Sequence, residues 1–138
     1  MKVFIDTNVL LDYILQRDEG QAQTIMKWGH NKSIGLCASY LSYADSAYIL
    51  RKYLSRDEIR LVFNKIRGFC NLLPMDARQF DFATCIGGID LEGTFQSVCA
   101  DFNHCDVIVT RNTDHFEGCP LAVMTPDEFL RAVTGQTL

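Results

Sequence analysis

Five acidic side chains occupy positions from which they could hold a divalent cation. Asp6 closes the apolar run Val3-Phe4-Ile5 and is followed at once by Thr7 and Asn8. That pattern reads as a strand buried on both faces that delivers a carboxylate at its carboxyl end, the edge where open α/β sheets bind ligands. Asp45 is the one charge in Ala38 to Leu50, ASYLSYADSAYIL. A carboxylate buried alone is costly, so Asp45 should be exposed, protonated or paired with a cation. Asp90 and Glu92 open a helix, where acids also complement the helix dipole. Asp114 follows Asn112 just after the apolar run Val107 to Val109, the same kind of strand-to-loop position that Asp6 occupies. If these two strands are neighbours the acids converge, and crowded carboxylates repel one another unless a cation with oxygen ligands joins them.

The elements that must position these acids alternate along the chain. After the first strand, Val9, Leu10, Tyr13 and Ile14 lie on one helical stripe, with Thr7 or Asn8 placed to cap it. Glu19 to Asn31 predicts a helix, Ile34 to Ala38 a buried strand, and Ser39 to Leu54 a long helix. Ser55-Arg56-Asp57-Glu58 is the cap of another helix reaching about Arg67, so residues 39–67 form a helical hairpin. Asn71 to Met75 predicts a strand, Asp76 to Ile86 a helix ended by Gly87-Gly88, and Asp90 to Phe102 a further helix. Asp106 to Thr110 and Leu121 to Met124 complete the strands, and Thr125-Pro126 opens a last helix. Strands separated by helices throughout imply a parallel sheet covered on both faces, in one domain spanning 1–138.

Composition bounds the function. With 138 residues, 48% hydrophobic and 22% charged, the chain is sized for one globular domain. A net charge of −4 argues against nonspecific coating of nucleic acid, although carboxylates gathered at a metal site lower the total without repelling a substrate. Against that background Arg51, Lys52, Arg56, Arg60, Lys65 and Arg67 face only Asp57 and Glu58 within residues 51–67, a locally basic segment. Lys2 to Leu15 is interrupted by polar residues and no run approaches the ~20 apolar residues of a membrane span, so a cytoplasmic protein is expected. The six cysteines include no CxxC pair and lie largely in apolar stretches, which favours reduced, buried thiols. The alternative, zinc held by Cys99, His104, Cys105, His115 and Cys119, lacks a paired-ligand knuckle. Neither GxGxxG, GxxxxGK[ST] nor GxSxG occurs, so nucleotide-loop and serine-elbow chemistry find no support.

The opening strand ending in Asp6-Thr7-Asn8 with Val9 to Asp12, the later Asp106 to Asn112 with Phe116, and the closing Leu121 to Leu130 with its Thr-Pro-acid helix start resemble the PIN-domain family. The resemblance spans essentially the whole chain in motif order. It implies a three-layer α/β/α sandwich and a metal-dependent endoribonuclease using Mg²⁺ or Mn²⁺, as in VapC-type toxins. Asp6 matches the first acid of the family, and Asp45 falls where the second, more often glutamate, is expected. The usual Asp-x-x-Asp-Ala is here Asp90-Leu91-Glu92-Gly93-Thr94, so Gly93 stands in place of an aspartate. Asp90 or Glu92 would substitute, with Asp114 assisting. Relatives also often carry Asp at the position of Asn112, or just before the phenylalanine, where this chain has His115.

On that resemblance Thr7, Asn8, Thr110 and Asn112 would position ligands or phosphate oxygens, while Arg111 and the basic hairpin would steer RNA. A small antitoxin protein and a homodimer are the expected partners, with Tyr43, Tyr53 and Phe63 of the hairpin offered as exposed contacts. The alternative function is a catalytically impaired PIN-fold protein that binds RNA or a protein partner without cleavage.

Overall fold

The computed structural model of the chain describes residues 1–135; the end of the expected domain, 136–138, lies outside the described residues. Five short strands form one parallel sheet: β1 (Lys2–Ile5), β2 (Gly35–Ser39), β3 (Asn71–Leu73), β4 (Val107–Val109) and β5 (Ala122–Met124), in the order β3-β2-β1-β4-β5. β1 is central and pairs with both β2 and β4, with Ile5 opposite Val109. The strands lack polar alternation because both faces are covered. Val3, Ile5, Leu36, Ala38, Val107 and Val109 pack into one core cluster, and the intervening Phe4, Cys37 and Ile108 into the other. This is the three-layer α/β/α arrangement.

The helices are α1 (Thr7–Leu15), α2 (Gln21–His30), α3 (Tyr40–Leu50), α4 (Arg56–Arg67), α5 (Ala77–Ile86), α6 (Leu91–Phe102) and α7 (Pro126–Thr134), with a 3₁₀ turn over Thr113–Phe116. Each starts where a polar side chain can take an orphan N–H. Asp6, Ser39, Asp76 and Asp90 cap α1, α3, α5 and α6. Complete capping boxes, Ser55 with Glu58 and Thr125 with Glu128, start α4 and α7. The 39–67 hairpin forms, but its first helix ends at Leu50, four residues short of the expected Leu54. Tyr43 is not an exposed contact: it is buried and packs edge-on against the half-buried Phe63, with ring centroids 5.0 Å apart. The core side of α3 is Ser42, Tyr43, Ser46 and Leu50. Tyr53 is exposed as expected.

The fold places three helix N-termini, those of α1, α3 and α6, around the carboxyl ends of β1, β2 and β4. A buried ion-pair triad locks this edge. Asp12 on α1 accepts from Arg111 Nε at 2.7 Å and from Arg17 at 3.1 Å, tying α1 to the loop after β4. Both arginines keep a solvated side, so the carboxylate rather than the cations depends on the pairing. Asp12→Ala is therefore expected to lower unfolding stability by about 2 kcal/mol and Arg111→Ala by about half that, since Arg17 still serves Asp12. Urea denaturation of the two variants checks the ranking.

Candidate metal centre and cleft

Asp6 begins as a helix cap and becomes a hub. Its Oδ1 accepts from the Thr7 backbone N–H at 2.8 Å and from Gln96 Nε2 at 3.2 Å; its Oδ2 accepts from Thr110 Oγ1 at 2.8 Å and Asn8 Nδ2 at 3.3 Å. The partners come from α1, α6 and the end of β4, because the strand register sets Asp6 beside Thr110. The surrounding polar groups are themselves tied. Gln96 donates also to Ser42 Oγ at 2.7 Å and accepts from Ser39 Oγ, while Asn8 Oδ1 accepts from the Arg111 N–H at 3.0 Å. The Asn112 N–H donates to Thr110 Oγ1 at 3.0 Å. A buried network satisfied in this way has one arrangement open to it.

Asp6, Asp90 and Glu92 line a cleft of about 410 Å³ together with Thr7, Asn8, Arg17, Gly93, Gln96, Asn112 and His115. Asp45 stands behind Glu92 on α3. The Glu92 carboxyl is pushed up to about 7, first by its hydrogen bond with Asp45, then by burial, then by the charges of Asp45, Asp6 and Asp90. Four of the expected acids are thus close enough to feel one another. Asp90 also caps α6 and lies 3.4 Å from His115 Nδ1. Asp114 is exposed on the 3₁₀ turn and does not line the cleft, and Arg111 lies outside it, held by Asp12.

Oxygen donors suit a hard divalent cation. The Oδ2 of Asp45 is buried with no N–H donor among the described residues, and a proton on the neighbouring Glu92, or a cation in its place, would offset the crowded charge. Thr7 Oγ1 is likewise buried without a partner. In donor type Asp45, Glu92 and Asp6 fit Mg²⁺ or Mn²⁺, and the unmet need is that of Asp45. The acids are not closed into a finished cage: among the described residues, no three His, Cys, Asp or Glu stand at metal-binding spacing. That statement also covers the cysteines considered for zinc.

Gly93 explains why the cage is open. A Cβ there would collide with the backbone carbonyl of His115, whose carbon would lie 3.1 Å away. The 3₁₀ turn occupies the volume that an aspartate at 93 would need, so a side chain there enters only if the turn shifts. Sequence reasoning passed over Gln96, Ser39, Ser42, Asp12 and Arg17. Gln96 carried a signal, being an uncharged amide inside the apolar stretch Thr94 to Ala100 of a buried helix. Ser39 and Ser42 carried none beyond capping.

Two outcomes test this geometry. Alanine improves an ordinary helix by about 1 kcal/mol over glycine, but here overpacking costs about 1–3 kcal/mol, so Gly93→Ala is expected to lower the melting temperature. Glu92 binds its proton more tightly when folded than at its ordinary 4.5, so its contribution to stability is full below that pH and is lost as pH rises to about 7. Melting temperature should therefore fall over that window in the wild type and stay flatter in Glu92→Gln.

A family profile described as PIN domain matches residues 2–114. No curated protein sequence matches the chain significantly. Among solved structures, VapBC-1 from nontypeable Haemophilus influenzae aligns at a TM-score of 0.69 and 14% identity, covering 92% of this chain and 99% of that one. VapBC2 from Rickettsia felis, bound to a promoter DNA fragment, aligns at 0.67 and 13%, covering 90% and 97%. A toxin-antitoxin complex from Klebsiella pneumoniae aligns at 0.66 and 18%, again covering 90% and 97%. At these identities the structural likeness establishes the fold, and the profile match, which takes in most of the sequence from β1 through β4, establishes the lineage. The chain belongs to the PIN domain family.

Proposed function

We propose that the chain is the toxin component of a toxin–antitoxin pair and acts as a Mg²⁺- or Mn²⁺-dependent endoribonuclease. The observation that carries this reading is the Asp45–Glu92 carboxyl pair, in which the Oδ2 of Asp45 is buried without an N–H donor and Glu92 lines the cleft together with Asp6. Asp45, Glu92 and Asp6 would hold the cation, which when bound lowers the pKa of a water and stabilises charge developing on phosphorus. Asp6 is oriented by its four donors, and a cation approaching it competes with the two longer bonds, from Gln96 and Asn8. Asn112 in the cleft wall offers its amide to phosphate oxygens, Asn8 holds Asp6 and Thr110 in place, and Arg17, also lining the cleft, supplies a cation toward which the strand is drawn. Asp114 would act at a distance, through its charge.

An antitoxin protein and a second copy of the chain are the partners this reading expects. The exposed Phe80, Phe82 and Ile86 of α5, Ile89 of the turn after it and Leu91 at the start of α6 offer the apolar surface such a partner needs. No helix of the described residues is long and apolar enough to cross a membrane.

A second reading, a PIN-fold protein that binds without cutting, is favoured by one observation: the His115 carbonyl filling the space beside Gly93. Cleavage of RNA in a Mn²⁺ titration separates the two. The nuclease reading expects cleavage that rises with Mn²⁺ and falls at least about a hundredfold in Asp6→Asn, together with a Mn²⁺-induced rise in melting temperature that the variant loses. Cleavage equal in wild type and Asp6→Asn overturns the assignment, and no cleavage at any Mn²⁺ concentration favours the binding protein.

A further inference from the structure

Helix α3 carries more than Asp45. Tyr48, one turn further on, is 62% exposed, an unusual position for a large aromatic ring with an apolar groove lined by Tyr40, Leu41 and Ala44 on the same helix. The guanidinium of Arg51 lies over its ring, 4.0 Å from the centroid. One face of the tyrosine is thereby covered by a cation and the other is open. Residues three and four apart on a helix are neighbours, so Tyr48 stands beside Asp45, as does Ile49, which lines the acidic cleft.

The hairpin that continues from Tyr48 is predominantly basic, with only Asp57 and Glu58 against six cations. Arg51, Lys52, Arg56, Arg60, Lys65 and Arg67 are all exposed, and none forms an ion pair among the described residues. The two acids of this segment sit together at the start of α4, where Glu58 accepts from the Ser55 N–H in its capping box and Asp57 complements the same helix start. Unneutralised cations in a chain of net charge −4 mark the surface for a polyanion. A polyanion that also presents flat π-faces is a nucleic acid with unpaired bases, because a paired base keeps its faces inside its own stack.

We infer that the Tyr48–Arg51 pair is a base-stacking platform at the rim of the cleft, and that the substrate is read as single-stranded RNA. The cation on the buried face polarises the ring and strengthens the stack. A base seated on Tyr48 carries its backbone past Asp45 and Glu92, with the hairpin cations on the phosphates behind it. This rests on the nuclease reading for its choice of RNA, but not on cleavage.

Binding of an unstructured RNA oligonucleotide, followed by fluorescence anisotropy without divalent cation, tests it. Tyr48→Ala should weaken binding about tenfold, Tyr48→Phe should restore it to within about twofold, and a duplex of the same sequence should bind weakly and ignore both substitutions. Arg51→Ala should weaken binding and shrink the salt dependence by about 0.7 in log–log slope. Tyr48 is exposed, so an unchanged melting temperature identifies a folded variant. Unchanged affinity in Tyr48→Ala, or equal affinity for single strand and duplex, overturns the platform and assigns the surface to a protein partner. Asp6-dependent cleavage with the same KM in Tyr48→Ala also overturns it while leaving the nuclease intact. Tyr48-dependent binding without cleavage at any Mn²⁺ concentration supports the platform while overturning hydrolysis.

Discussion

A carboxylate offers about four lone-pair directions, and Asp6 fills all four with donors drawn from α1, α6 and the end of β4. Because these donors come from segments far apart in sequence, the bonds can form only when β1 lies between β2 and β4 in the observed register. Losing one partner would strand a buried polar group, so each helix around the carboxyl edge of the sheet is held in place partly through this one side chain. Ser39 and Ser42 extend the constraint to α3 through Gln96, and Asn8 and Thr110 extend it to the loop after β4. The site's geometry is a consequence of packing that the fold already requires.

The acids near that hub divide into two environments. Asp6 is surrounded by donors and has no unmet need, whereas Asp45, its Oδ2 buried without an N–H donor, lies against the Glu92 carboxyl. Like charges brought together in a partly dry place raise the proton affinity of one of them, and the same arrangement attracts a divalent ion. This explains how a cation could be held without the aspartate expected at position 93. The adjustment has a structural counterpart. With glycine at 93 the 3₁₀ turn closes onto α6, bringing His115 against Asp90 and filling the space a side chain would have taken.

Function at this edge also depends on what borders the acids. Arg17 faces the cleft and shares Asp12 with Arg111, so two guanidinium groups are fixed by one buried carboxylate on one side. On the other side α3 leads from Asp45 to Tyr48 and the basic hairpin. The acidic centre is thus flanked by cations on both sides.

Much of this was legible in the residues themselves. The consecutive apolar residues of β1 and β4, the capping pairs Ser55–Glu58 and Thr125–Glu128, and the Asp6-Thr7-Asn8 junction report local backbone and burial preferences, and local physics decided them. The α/β class and the place of Asp6 at the sheet edge follow from the same patterns. Other features were decided only in three dimensions. Whether Asp114 enters the cleft depends on how the 3₁₀ turn sits on α6, and whether Tyr43 is exposed depends on Phe63 reaching it across the hairpin. Gln96 reads in the chain as an isolated polar residue in a buried helix; it becomes a partner of Asp6, Ser39 and Ser42 because tertiary packing brings α6 against β1 and α3. Spacing along a chain specifies which face of its own element a residue occupies, whereas a site built from four elements is specified by how those elements pack.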